Sequence, residues 1–184
     1  MTASRKLIQK LASSERAGRM AAAAELYEQG VGLGDSVATA WRVNREFAKL
    51  LAGPPTVGVA VWPHQFEQIR QASGQPRLAN VPPDQDAKEF ELHLGKARLD
   101  ILTSEGQPGA VAAFLEKFGE GIQQVEYPVS DVGRATEILQ KQFGIKPVYA
   151  QTRAGANGTR VNFILAANAE GKKVLIELVE EASR

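Results

Sequence analysis

The sequence contains no cysteine, which excludes disulfides, thiolate nucleophiles and cysteine-based zinc sites. It has two histidines, His64 and His93, so a multi-histidine metal cage cannot be assembled within one chain. Neither sign of charge dominates: 22 Lys+Arg stand against 21 Asp+Glu, a formal net charge of +1. That balance leaves no electrostatic footprint for nucleic acid. No uninterrupted apolar run reaches the roughly 18 residues of a membrane span. The N-terminus lacks the apolar core of a secretory signal, so a cytoplasmic location is the default expectation. Proline is absent from residues 4–52, which leaves that stretch free to be helical.

What is present suits a globular protein of one domain with an extension: 184 residues, 43% hydrophobic and 23% charged. Residues 4–52 are rich in Ala, Leu, Arg and Glu. Ser14 is placed to cap a helix that ends at Gly30. Leu33-Gly34-Asp35-Ser36 then restarts a helix, capped by Asp35 or Ser36, that runs to Leu51. Val37, Ala40, Trp41, Val43, Phe47 and Leu51 give it an approximate 3.6-residue stripe. Gly53-Pro54-Pro55 ends it. Two helices around a Gly-rich turn have a DNA-binding look, but the second helix offers only Arg42, Arg45 and Lys49 as cations. A packing or dimerisation extension over residues 1–53 is the better reading.

From residue 54 the texture changes to short β-type runs. Thr56–Val61 reads as a strand, Gln65–Ala72 as a helix, and Arg77–Val81, Lys88–Leu94 and Lys96–Thr103 as strands, with Gly95 at a tight turn. A linker over 105–121 carries a helix at Ala110–Phe118. The order then returns: strand Ile122–Val129, helix from Asp131 to Phe143 with Gly144 beyond it, strand Lys146–Gln151, a Gly/Asn-rich loop Arg153–Gly158, and strands Arg160–Ala166 and Lys172–Val179. Residues 56–104 and 122–180 therefore each read β-α-β-β-β, a repeat of about 65 residues. Arg98-Leu-Asp-Ile-Leu102 stands where Leu175-Ile-Glu-Leu-Val179 stands in the second copy.

Strand periodicity sorts the side chains into two faces. Val125, Tyr127 and Val129 oppose Gln124, Glu126 and Pro128. Leu99 and Ile101 oppose Arg98, Asp100 and Leu102, and Phe90 and Leu92 oppose Glu89, Glu91 and His93. Val161, Phe163 and Leu165 oppose Arg160, Asn162 and Ile164, and Ile176 and Leu178 oppose Leu175, Glu177 and Val179. The apolar faces are expected to pack on helices. The other face then carries Glu91, His93, Arg98, Asp100, Gln124, Glu126, Arg160, Asn162 and Glu177. Glu177 is the sharpest signal, because a carboxylate between apolar neighbours needs a metal, a cation or a hydrogen-bond partner. Arg98 or Arg160 would supply an ion pair; a metal or an acid–base role is the functional alternative. Asp100 has a similar setting. His93 is a proton shuttle or a surface histidine near a strand end. Gly155-Ala-Asn-Gly158 is a turn into the hairpin, or a loop that cradles an anion.

The paired modules resemble the vicinal oxygen chelate (glyoxalase/bleomycin-resistance) superfamily. The second module is most similar to methylmalonyl-CoA epimerases, through Phe114–Ile122, Asp131-Val132, Arg153–Val161 and Val174–Glu180. The resemblance implies an α+β fold in which two βαβββ modules form a half-barrel cup, spanning 54–184. It also implies a divalent metal (zinc, cobalt, nickel or manganese) held from four strands, at Thr56, Asp100, Gln124 and Glu177. Thr56 and Gln124 stand where the family pattern has histidine, and a hydroxyl is a weak donor for such metals. The implied chemistry is proton transfer next to the carbonyl of a small carbonyl compound or acyl thioester. Glu177, Glu126 and His93 are its candidate catalytic groups, and Arg98, Arg160 and Asn162 its candidate substrate contacts. The alternative is a metal-free, non-catalytic binder of a small molecule in the same cup. A homodimer is expected from the resemblance, with no nucleic-acid or membrane partner.

Overall fold

A computed structural model describes residues 3–182. Met1, Thr2, Ser183 and Arg184, the outer ends of the expected extension and domain, lie outside the described residues. In chain order the elements are α1 (Ala3–Leu11), α2 (Arg16–Val43), α3 (Arg45–Ala48), β1 (Thr56–Ala60), α4 (Pro63–Ala72), β2 (Ala87–Leu94), β3 (Ala97–Ser104), α5 (Ala110–Phe118), β4 (Gly121–Pro128), α6 (Val132–Phe143), β5 (Arg153–Ala154), β6 (Arg160–Ala167) and β7 (Lys173–Glu180). The class is α+β. The chain divides into two compact units, Met1–Gly30 with Thr56–Gln123, and Val31–Pro55 with Gln124–Arg184. Among the described residues no helix is long and apolar enough to cross a membrane.

In the first unit the strand order is β2-β3-β1. β1 runs parallel to β3 and β2 antiparallel to it. Gly95, at φ +63°, makes the tight β2–β3 turn, a conformation that glycine adopts without a Cβ penalty. Val57, Val59, Phe90, Leu99 and Ile101 are fully buried. Phe66 of α4 meets Phe90 edge-on at 4.9 Å. Val111 and Leu115 of α5 cluster with Ala60 and Leu102.

In the second unit the order is β4-β7-β6-β5. β4 is parallel to β7, and the other pairs are antiparallel. Helix α6 begins where Asp131 accepts a hydrogen bond from Arg134 N at 2.8 Å and ends at Gly144, φ +67°. Both residues do what their types favour at helix ends. Val132, Ala135, Ile138 and Leu139 of α6 pack with Val125, Tyr127, Ile164, Ile176 and Leu178, and Trp41 and Phe47 join the same cluster.

Three expectations are corrected. The N-terminal segment does not break at Gly30; α2 is one helix of 28 residues. Ser36 and Thr39 bond back to the carbonyls of Leu33 and Asp35, so the hydroxyl of Ser36 is satisfied inside a helix and not at its cap. The break comes at Asn44, which accepts from Glu46 N and Phe47 N and starts α3. The glycines serve packing: a Cβ on Gly30 would lie 2.3 Å from Val57, and one on Gly34 would lie 2.7 Å from the Tyr127 hydroxyl. Second, Arg77–Val81 is not a strand. Its Ala79 N donates to Glu89 O at 2.9 Å, but the flanking Pro76, Pro82 and Pro83 have no N–H with which to extend a ladder. The first module is therefore β-α-β-β. Third, Lys146–Gln151 forms only a bridge, Pro147 to Ile164, and the pairing falls later, at Arg153–Ala154.

Gly30→Ala is expected to lower the melting temperature. Overpacking costs about 1–3 kcal/mol against a helix-propensity gain of at most about 1 kcal/mol. Gly32→Ala, where a Cβ meets nothing within 4 Å, is expected to raise it. Thermal denaturation of the two variants side by side checks both signs.

Candidate functional site

In the second unit the parallel register sets Gln124 beside Leu175 and Glu126 beside Glu177. These four side chains share one face, because paired residues of neighbouring strands point the same way. Val125 and Ile176, one step along, point into the core. Gln124 reaches diagonally across the strand pair. Its Nε2 donates to Glu177 Oε2 at 2.5 Å and to Glu126 Oε1 at 3.2 Å. Gln124 and Glu177 are each 9% exposed, and Glu126 is half-buried. The carboxylate that the sequence leaves among apolar neighbours is thus met by an amide.

The antiparallel pairing of β6 overturns one face expectation. Phe163 lies opposite Glu177, whereas Asn162 pairs with Leu178 and Arg160 with Glu180. Arg160 and Asn162 therefore belong to the face opposite Glu177, with Ile164, and do not join it as substrate contacts. Asn162 is 1% exposed; its amide accepts from Tyr149 N at 3.3 Å and donates to Tyr149 O at 3.1 Å. Arg160 lies 3.6 Å from Glu180, which accepts from Val132 N at 2.9 Å at the start of α6. Both residues anchor structure. Arg160 also donates to Thr152 at 2.9 Å.

The cation that β5 does place on the Glu177 face is Arg153, paired with Val161. Its guanidinium stands 4.6 Å over the Tyr149 ring, and Tyr149 meets Phe163 edge-on at 6.0 Å. By sequence Arg153 falls in the loop Arg153–Gly158, whereas the structure pairs it with Val161. Its signal was a lone arginine ahead of Gly155, where a Cβ would strike Thr159 and Val161.

In the first unit the expected face forms as read. Glu91 pairs with Asp100 and His93 with Arg98, while Gly58 sits beside Asp100. Thr56, two residues before Gly58, is on the same face and half-buried. Asp100 is 9% exposed. His93 is exposed, with Glu91 at 3.5 Å. Burial raises the Tyr27 phenol above its ordinary value, and the nearby Arg98 opposes that rise. Glu89 was not singled out by sequence. Burial first, then the Asp100 and Glu91 charges, push its carboxyl up to about 8.

The metal implied by the resemblance can be tested against these donors. Gln124 turns amide hydrogens, not its oxygen, toward Glu126 and Glu177. No imidazole stands on this face of the second unit. No group of three or more His, Cys, Asp or Glu that could hold a metal ion occurs among the described residues. Zinc, cobalt and nickel favour imidazole or thiolate donors, so the residues as arranged do not fit such a centre.

No family model matches the chain, and no curated protein matches it. Among solved structures, the chain is 33% identical to methylmalonyl-CoA epimerase from Mycobacterium tuberculosis. That match covers 73% of this chain and 91% of the other, at a TM-score of 0.61. A variant of the Streptomyces coelicolor methylmalonyl-CoA epimerase, in complex with 2-nitronate-propionyl-CoA, is 26% identical over 72% of this chain and 99% of its own, at a TM-score of 0.58. A methylmalonyl-CoA epimerase in complex with methylmalonyl-CoA and ammonium is 23% identical over 73% and 96%, at a TM-score of 0.57, and shares the fold.

Glu89 gives a prediction about pH. Between the ordinary value of 4.5 and about 8, the folded chain keeps a proton on Glu89 that the unfolded chain has released. Stability through this group therefore falls as pH rises across that window and levels off above it. Glu89→Gln is expected to flatten that decline, so that its melting temperature gains on the wild type as pH increases. Parallel melting curves in the two proteins would expose the error.

Proposed function

The chain belongs to the methylmalonyl-CoA epimerase family of the vicinal oxygen chelate superfamily, and from that membership we propose that it moves a proton at the carbon next to the carbonyl of an acyl thioester. The observation that carries this reading is the pair Glu126 and Glu177, side by side on one face and both held by the Gln124 amide. A carboxylate in that setting acts as general base. It takes the proton, the C–H electron pair moves into the C–C bond, and the carbonyl oxygen becomes an enolate oxygen. Return of the proton to either side of the carbon gives exchange or epimerisation.

Glu126 is half-buried and is the carboxylate we assign to proton transfer; buried Glu177 fixes it through Gln124. Arg153, on the same face of the second unit, is assigned the substrate's anionic groups, in place of Arg160. A metal has no part in this reading, since Gln124 turns amide hydrogens toward Glu126 and Glu177. A homodimer belongs to the same reading, and light scattering on the purified chain checks it.

The test is loss of the α-proton signal of methylmalonyl-CoA and related acyl-CoA thioesters in deuterium oxide, followed by NMR. The wild type is expected to exchange it, and Glu126→Gln and Glu177→Gln to slow exchange by about 100-fold or more. Saturable acyl-CoA binding by the wild type with no exchange above background would overturn the catalytic reading and leave a binding protein.

A further inference from the structure

We propose that in the second unit the Gln124 amide stands in for a metal ion. Glu126 and Glu177 are neighbours in the parallel register, and two carboxylates so placed repel unless a proton or a positive group is set between them. A positive partner that both carboxylates share is the NH₂ group of Gln124, which donates to Glu177 at 2.5 Å and to Glu126 at 3.2 Å. An amide NH₂ carries two hydrogens, and both are used. Hydrogen bonds to ionised acceptors are the strong kind, and Gln124 and Glu177 are buried, so water competes weakly for them.

The orientation of the amide decides what it can bind. To ligate a cation, Gln124 would have to present its oxygen where the nitrogen now stands. That turn gives up both hydrogen bonds and brings a third oxygen against Glu177 at the 2.5 Å now spanned by a donor. A zinc or cobalt ion has no imidazole or thiolate here to offset the loss. Manganese, magnesium or calcium accepts an all-oxygen set but needs about six ligands, more than Gln124, Glu126 and Glu177 supply from this unit. The amide therefore holds the carboxylate pair in the geometry a cation would otherwise impose. This inference rests on the two hydrogen bonds and not on the acyl-thioester reading.

The experiment uses the full chain, purified without a histidine tag. Each protein is dialysed against zinc, cobalt, nickel or manganese in turn, then read by plasma mass spectrometry and thermal denaturation. The wild type is expected to retain none of them stoichiometrically and to melt at the same temperature with and without metal. Gln124→His is expected to take up zinc to one per chain and to melt higher in its presence. Gln124→Leu, which leaves the carboxylates facing each other, is expected to melt well below the wild type. A wild type that retains one metal per chain, lost in Glu177→Gln, overturns the proposal. So does a Gln124→Leu as stable as the wild type, or a folded Gln124→His indifferent to zinc. Should Gln124→His not fold, the metal content of the wild type and the melting of Gln124→Leu decide the matter by themselves. Metal content and melting are read without turnover, so a failed exchange assay leaves this result standing and the reverse holds too.

Discussion

A buried carboxylate has to be met by a donor, and the second unit is organised around meeting one. Glu177 lies in a strand whose neighbours are Leu175, Ile176, Leu178 and Val179, and leaving its charge without a partner would cost several kcal/mol. Gln124 can reach it because β4 and β7 run parallel with Glu126 beside Glu177. A parallel pair needs a long crossover connection. Helix α6 and the β5–β6 segment lie in that connection, and the same helix closes the core with Val132, Ile138 and Leu139. The register that packs Val125 and Ile176 inward is the one that turns Gln124, Glu126 and Glu177 outward. A slip of one residue in β4 would bury Gln124 and Glu126 against α6, and one in β7 would bury Glu177.

That dependence on register explains what the sequence could tell. In β3, β4 and β7 the two faces differ in chemistry, so a period of two separates them. Arg98 and Asp100, or Gln124 and Glu126, alternate with buried Leu, Ile and Val, and the face they share could be read directly. In β6 the run Arg160-Val-Asn-Phe-Ile-Leu-Ala-Ala167 is apolar along the whole of one face and along the second half of the other, so the apolar side is not necessarily the packed side. The two polar residues drew the face toward themselves. The structure assigns it by pairing: Ile164 is fully buried with α6, while Leu165 is 49% exposed. Asn162 is tolerated on the packed side because Tyr149 backbone groups satisfy both ends of its amide, a partner that no local pattern reveals.

The N-terminal helices failed differently. Gly30, Gly32 and Gly34 look like a break, because glycine in a helix interior is destabilising by up to about 1 kcal/mol relative to alanine. Gly30 and Gly34 are there because Val57 and Tyr127 come closer than a Cβ allows. Tertiary packing overrides the local preference, and the contact partners lie far along the chain. Asn44, which sets the actual break, stands inside an apparent stripe that conceals it. The missing strands at Arg77–Val81 and Lys146–Gln151 share a feature: Pro76 and Pro82 flank the first and Pro147 lies within the second, and proline offers no N–H to a ladder.

The replacement of a cation by an amide reaches beyond stability. A metal at such a site would stabilise an enolate oxygen directly. The Gln124 hydrogens cannot do so, because both are committed to Glu126 and Glu177. On the proposed reading, stabilisation of the developing charge has to come from another group on that face, and Arg153, over the Tyr149 ring, is a cation the strand pairing puts there. A guanidinium stays charged at any working pH and offers its donors in a fixed fork, which suits a carboxylate or phosphate oxygen better than a lone enolate. Substrates that carry such an anionic group beside an already acidic C–H are then the ones this face can serve, because binding through the anion supplies the positioning that a metal would have supplied through the carbonyl.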